Sequence, residues 1–342
     1  MGAPETGVLA DPAKIARILD PLARPDVELD ILNAFSAPPP VLDFVAPGLK
    51  AATAGVFASP GGLGKSMWSL ELAMGVAAPA ADEHLLRLGI TKQGGVVVLN
   101  AEDPLDVLQL RVHGIGARLP VDVRREVAAN LKIMGLMGCG CNVGNPKWVD
   151  GIIRIGAGAR LIILDTLSRW HASDENDNSE MAAVIAIFER IARETGAAIV
   201  YLHHTSKGAT LNGQGSSQQA TRGASSIVDN ARWQGYLERL SEAEAARAGI
   251  SEEHRPLYVK AGVAKQNYGP PVGERWYRRA EGGVLVAVDA NERIETERRP
   301  GKASRSAKVP PQLAPLAELQ AAVRGDSVDL LPTVDEFSRF GG

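Results

Sequence analysis

The sequence predicts an α/β fold, a mostly parallel sheet flanked by helices with a C-terminal antiparallel extension. Three observations predict it. Between residues 50 and 205, short β-branched runs alternate with longer helical patterns, and that alternation implies parallel strands joined by right-handed crossovers. The runs are apolar on both faces, as strands between helix layers are. After residue 230 the connections shorten, and Gly282-Gly283 marks a hairpin turn between two strand-like segments, so the later strands run antiparallel.

Taken in order, residues 1–30 are polar and rich in Ala and Pro, which suggests a loosely held arm. A short apolar helix over 31–36 runs into Pro38-Pro39-Pro40, whose missing N–H donors and fixed φ impose an extended linker. The strand runs are Gly55–Ala58, Val96–Leu99, Leu131–Met134, Leu161–Leu164 and Ile199–Leu202. The clearest helix is Ser179 to Thr195, with Val184, Ile187, Phe188, Ile191 and Thr195 on one stripe and Gly196 placed to cap it. Arg232–Leu240, Leu257–Asn267, Arg275–Ala280 and Val284–Asp289 read as the later strands, and Ser241 with Glu244 forms a capping box that opens a helix closing near Gly249. From about 296 the composition is that of a disordered tail, in which Leu316, Leu319 and Val323 line one face of a short helix over 313–324. The chain therefore divides into an arm and linker over 1–40, a core over 41–295 and a tail over 296–342.

Composition sets bounds. The chain has 342 residues, enough for one large core. With 37 Lys and Arg against 40 Asp and Glu, its net charge of −3 does not suit a chain that coats nucleic acid or anionic membrane by bulk electrostatics. Cys139 and Cys141, one residue apart, cannot staple a fold of this size and read as buried or half-buried thiols of a reducing compartment. Asp11, Glu28 and Asp30 interrupt the first 30 residues, leaving no secretory core. No apolar run approaches the roughly 18–20 residues of a membrane span. The expectation is a soluble, cytoplasmic protein without a membrane partner.

The strongest signal is Ser59-Pro60-Gly61-Gly62-Leu63-Gly64-Lys65-Ser66, directly after one strand and before a helix carrying Met67, Leu70 and Met74. Glycines let the backbone turn tightly enough for several N–H groups to converge on phosphate oxygens. The helix start adds a partial positive charge, Lys65 a full one for the β- and γ-phosphates, and the Ser66 hydroxyl a ligand for Mg²⁺. Pro60 through Met67 are thus candidate nucleotide-binding residues, with ATP and Mg²⁺ as the implied ligands. Ser59 stands where this loop usually has glycine, which ordinary strand-end dihedrals allow.

Asp165 ends the run from Leu161, so its carboxylate emerges where nucleotides bind in open α/β sheets and can hold a water ligand of Mg²⁺. A helix N-cap is the alternative reading. Glu102, after the run ending at Asn100, is the candidate to orient an attacking water, with Asp103 its neighbour and rival. Of His203 and His204, adjacent on a strand, only one can face the site. We assign His204 as γ-phosphate sensor and His203 to a hydrogen bond in the core; zinc is disfavoured because a third ligand and suitable spacing are missing.

In order along the chain, Ser59–Ser66, Ala101–Pro104, Leu164–Leu167, Leu202–His204, Arg222–Ser226, Val228–Trp233 and Ala264–Gly269 resemble the RecA-like hexameric replicative helicases of the plasmid RepA type, over roughly residues 30 to 290. The Walker motifs are generic to RecA-like P-loop NTPase cores; the His-His, Arg-Gly and Asn-Ala-Arg-Trp segments are more specific. The resemblance implies a homohexamer that hydrolyses ATP at subunit interfaces and moves single-stranded DNA through its channel, with a replication initiator or primase as partner; the alternatives are a RecA-fold ATPase of recombination or repair acting as a filament and a nucleotide-dependent regulatory module without helicase activity. It assigns Glu102 as catalytic carboxylate, Asp165 as Walker B residue, His204 as sensor and Arg232 as arginine finger, assisted by Lys265. It also suits the helix over 31–36 as an element that docks on the adjacent subunit.

Contact with DNA rests on fewer residues. Segment 206–222 is rich in Gly, Gln, Ser and Thr, with Lys207 and Arg222 as its charges, and such a loop can donate to phosphates without sequence preference. The loop after Asp165 offers Arg169, Trp170 and His171, an aromatic among them to stack on a base; Asp174, Glu175 and Asp177 beyond it read as a solvated acidic stretch.

Overall fold

A computed structural model describes residues 28–205, 227 and 229–288. The chain divides into two units, Met1–Thr296 and Glu297–Gly342, and the described residues all belong to the first. The expectations for most of the arm, for segment 206–226 with Lys207 and Arg222, and for the tail with its helix over 313–324 lie outside the described residues.

The strands are β1 (Phe44–Ala46), β2 (Leu49–Lys50), β3 (Ala54–Ser59), β4 (Gly95–Asn100), β5 (Leu131–Gly135), β6 (Ala159–Asp165), β7 (Ala198–His204), β8 (Trp233–Arg239), β9 (Tyr258–Gln266), β10 (Arg275–Arg279) and β11 (Leu285–Val288). The helices are α1 (Ile31–Ser36), α2 (Lys65–Ala77), α3 (Pro79–His84), α4 (Leu105–Gly116), α5 (Val121–Asn130), α6 (Pro146–Ile155), α7 (Asn178–Thr195) and α8 (Glu242–Arg247). β1 and β2 form a small hairpin; the other nine strands form one sheet in the order β11-β10-β9-β8-β3-β7-β6-β4-β5. From β8 through β3, β7, β6 and β4 to β5 all neighbours are parallel. β8, β9, β10 and β11 pair antiparallel, so the expected extension is present.

Local chemistry accounts for the element ends. Asp177 caps α7 by accepting from Ser179 and Glu180, and Gly196, at φ 76°, closes it in the left-handed conformation. Ser241 and Glu244 make the reciprocal capping box of α8. Asp30 caps α1, and every residue of that helix is exposed.

Alternation along β3 builds the core. Phe57 faces α2, stacked on Trp68 with centroids 4.0 Å apart and beside Trp233 at 6.4 Å. Val56 and Ala58 face the other layer, with Phe188 of α7 and Tyr201. The sheet thus separates two apolar layers, as a parallel sheet requires.

Three expectations need correction. β5 is only partly buried, because as the sheet's last strand it has a neighbour on one side only. Cys139 is exposed while Cys141 is buried, because the loop after β5 that carries both turns one side chain inward. Trp170 is fully buried, packed edge-on against Trp148 at 5.8 Å. The short 3-10 turn after β6 folds it beneath the loop, so it is a core residue and not a base-stacking platform.

The entry to the sheet is clamped by charge. Arg160 of β6 donates to both Asp43 oxygens, at 2.7 and 2.9 Å, and to the Phe44 carbonyl at 2.7 Å; Lys92 adds a bond at 2.9 Å. Arg160 in particular holds the Asp43 carboxyl well below the usual carboxylate range. A depressed pKa contributes stability that is present above the unfolded value near ~4 and is lost as pH falls through and below it. Asp43→Asn is therefore expected to lower the thermal midpoint at neutral pH by about 2–4 °C, with the gap to wild type closing as the solution is acidified. A gap that survives undiminished in strong acid would exclude charge pairing as its source.

Candidate functional site

β3 ends at Ser59, which is buried and absent from the positive-φ positions, so the serine sits in the ordinary strand-end geometry that its place in the motif requires. The loop turns at Gly62 (φ 76°) and Gly64 (φ 95°). A Cβ on Gly62 would meet nothing within 4 Å, so the glycine answers a backbone requirement and not a lack of room. Gly64 is the N-cap of α2 with no side-chain cap, which leaves the first N–H groups of that helix free for an anion. Leu63 and Met67 turn their side chains into the core, and Pro60 and Gly61 form the outer bend.

Lys65 is buried, with Nζ 4.0 Å from Asp165 Oδ1 and 3.3 Å from His204 Nε2. Asp165, 1% exposed, accepts from Asn100 Nδ2 at 2.9 Å through Oδ2, and its Oδ1 has no hydrogen-bond partner. Burial pushes the Asp165 carboxyl up, against the pull of the Lys65 ammonium and the neighbouring Ser66 hydroxyl. Glu102 Oε1 lies 3.8 Å from His204 Nε2, and Glu102 Oε2 is buried without a partner. Asp103 is occupied by Arg111, at 2.7 and 3.0 Å. That difference separates the two acids: Asp103 is neutralised, whereas Glu102 faces the site.

His204 ends β7 beside Ser59 and stays half-exposed, its pKa lowered by burial and by Lys65. His203 points the other way, is buried, and is pushed down to about 4. The pair thus divides between faces as alternation requires.

The residues fit Mg²⁺ arriving with a nucleotide. Ser66 and the unpartnered Asp165 oxygen are hard donors, and among the described residues no group of three or more His, Cys, Asp or Glu makes a metal site by itself. Phosphate oxygens and water would complete the shell.

Arg232 is elsewhere. β8 runs parallel to β3 with Trp233 opposite Gly55, so Arg232 lies at the start of the strands, on the order of 15 Å from the phosphate loop at ~3.3 Å per residue. It is exposed, 4.0 Å from Glu189. Lys265, on β9 opposite Gln234, donates to the Asp229 carbonyl at 2.7 Å, and its pKa is lowered by burial and by Arg232. The structure therefore brings together Lys65, Ser66, Glu102, Asp165 and His204 at one end of the sheet, and Arg232 with Lys265 at the other.

A model of the AAA domain family matches residues 19–210, more than half of the chain. The chain belongs to the AAA domain family. Among solved structures, the ATPase domain of G40P is similar over 76% of this chain and 96% of that one, at 14% identity and a TM-score of 0.50. A DnaB-like replicative helicase, described with its interactions with primase, is similar over 75% of this chain and 65% of that one, also at 14% identity and a TM-score of 0.50. The RadB recombinase covers 68% of this chain and 90% of its own, at 11% identity and a TM-score of 0.44. The first two likenesses are of fold, and this AAA domain protein has the RecA-like P-loop ATPase fold.

Sequence reasoning passed over Asn100 and Arg111. Asn100 Oδ1 accepts from the N–H groups of Glu102 and Asp103, at 3.0 and 2.7 Å, while its amide holds Asp165; one buried side chain orients both acids. The signal was present: Asn100 is a polar end to an apolar strand, just as Asp165 is. Asn100→Ala is expected to lower nucleotide turnover about 10–100-fold with little change in nucleotide affinity. Unchanged turnover would show that the two carboxylates hold their places without it.

Proposed function

We propose that this AAA domain protein is an ATP-dependent replicative DNA helicase of the plasmid RepA type, a homohexameric ring that moves along single-stranded DNA by hydrolysing ATP at subunit interfaces. The observation that carries this reading is the separation just described. The phosphate loop, two carboxylates and a histidine converge at one end of the sheet, while the arginine that resembles a finger stands at the other, so a complete site needs a second copy of the chain.

Each residue then has a task. Backbone N–H groups of the loop and Lys65 hold the phosphates. Ser66 and Asp165 hold Mg²⁺, which when bound neutralises charge on the β- and γ-phosphates. Glu102 orients the attacking water and takes its proton. Arg232 of a neighbouring copy, with Lys265, stabilises charge developing on the transferred group. His204, uncharged at neutral pH, contacts the γ-phosphate and passes its loss to the segment after β7, where Lys207 and Arg222 meet DNA phosphates.

Helix α1 supports assembly. Leu29, Ile31, Leu32 and Phe35 are all more than half exposed, an apolar stripe that the adjacent subunit would cover, tethered by the three prolines. No described helix is long and apolar enough to cross a membrane; the cytoplasmic location proposed here follows from the replicative role. An initiator or primase is the partner class this role implies.

The test is strand displacement on a forked duplex with ATP and Mg²⁺, Lys65→Ala serving as control. Wild type is expected to displace the strand and the variant not to; hydrolysis stimulated by single-stranded DNA without displacement would end the helicase reading. Arg232→Ala is expected to bind ATP normally and lose about 10³-fold or more in turnover; normal hydrolysis would remove Arg232 from the site.

A further inference from the structure

β10 ends at Arg279 beside the phosphate loop. Its Nη2 donates to the Gly62 carbonyl at 3.3 Å, and a Cβ on Gly64 would lie 3.8 Å from the same nitrogen. The hairpin that carries it is pinned to α2. Leu285, opposite Arg279 in the β10–β11 ladder, donates its N–H to the buried Glu71 carboxyl at 2.8 Å, and the turn at Gly283 lies against the Met67 methyl. The hairpin is thus held at two points, and it carries the guanidinium to the Gly62 carbonyl.

Its electrostatics are one-sided. Among the described residues Arg279 makes no ion pair with a carboxylate, and its Nε is buried without a hydrogen-bond partner. Burial pulls its pKa down, and the neighbouring charge that bears on it is Arg239, another cation. Arg239 belongs to the same end of the sheet, because β8 runs parallel to β3 toward the loop. Glu71 offers little countercharge: burial pushes it up to about 8, so it is mostly protonated at neutral pH. Among the described residues Arg279 thus has another cation and no carboxylate beside it, a positive charge that a polyphosphate would answer.

We propose that Arg279 is a positioning residue of the nucleotide site, supplied by the chain's own C-terminal hairpin, which braces the phosphate loop through the Gly62 carbonyl and, with Arg239, adds positive potential for the polyphosphate of a nucleoside triphosphate. The inference rests on the nucleotide site proposed above. It gives the antiparallel extension a task at each end, Arg232 and Lys265 toward a neighbour and Arg279 toward its own loop.

The test is equilibrium binding of a fluorescent ATP analogue with Mg²⁺, at low and high salt, to the full chain as wild type, Lys65→Ala, Arg279→Met and Arg279→Lys. Arg279→Met is expected to bind about tenfold more weakly, with a flatter salt dependence and an unchanged melting temperature without nucleotide. Arg279→Lys is expected to keep the salt dependence but lose part of the affinity, because an ammonium cannot reproduce the planar fork. Wild-type affinity and salt dependence in Arg279→Met would overturn the inference. Should that variant not fold, Arg279→Lys decides: a several-fold loss supports the brace, and wild-type affinity overturns it. Failure of wild type to bind, or equal binding by Lys65→Ala, would instead sink the proposed nucleotide site and the inference with it.

Discussion

A carboxylate out of water at the end of a central strand constrains the rest of this structure. Asp165 is 1% exposed, and an ionised carboxylate in that position is tolerable only with a countercharge and hydrogen bonds. Lys65 provides the first and Asn100 the second, and both depend on strand register. Asn100 pairs with Asp165 across β4 and β6, and Ser59 pairs with His204 across β3 and β7. A one-residue slip in either pair would turn these side chains to the opposite face. The apolar layers that fix the register, Phe57 with Trp68 on one side and Phe188 with Tyr201 on the other, therefore also fix the chemistry.

The two ends of the sheet have different characters. At the carboxyl ends, oxygens lacking partners on Asp165 and Glu102 surround a cationic loop, an arrangement left open toward a polyanion and its metal. At the opposite end Arg232, just before β8, bears on Lys265 of β9. In the head-to-tail ring proposed above, one end of a subunit would meet the other end of the next, and two half-sites would become one. The small net charge of the chain is compatible with DNA as a partner in that arrangement, because repeated copies multiply a few donors around a channel.

Much of this was legible in the sequence because its signals are local. The glycines and Gly-Lys-Ser ending announce the loop, Ser241 with Glu244 announces a cap, and alternation assigns His203 and His204 to opposite faces. What escaped depends on distance. Nothing adjacent to Asn100 shows that it will meet Asp165, 65 residues on. Nothing near Arg279 indicates a contact with Gly62, because antiparallel pairing of the last strands makes it. Trp170 misled for a related reason: an aromatic between polar residues looks exposed until the turn after β6 folds it inward. β5 carries an interior strand's residues at an edge, since strand order is a property of the whole sheet.

The central claim is that the site is completed in trans, and subunit mixing tests it most directly. Arg232→Ala and Glu102→Ala are each expected to be inactive alone. Mixed in equal amounts, about a quarter of head-to-tail interfaces would join an intact Glu102 to an intact Arg232, so ATP hydrolysis should reappear on mixing and rise with exchange of subunits. A mixture as inactive as its parts, in assemblies shown to contain both variants, would contradict the account.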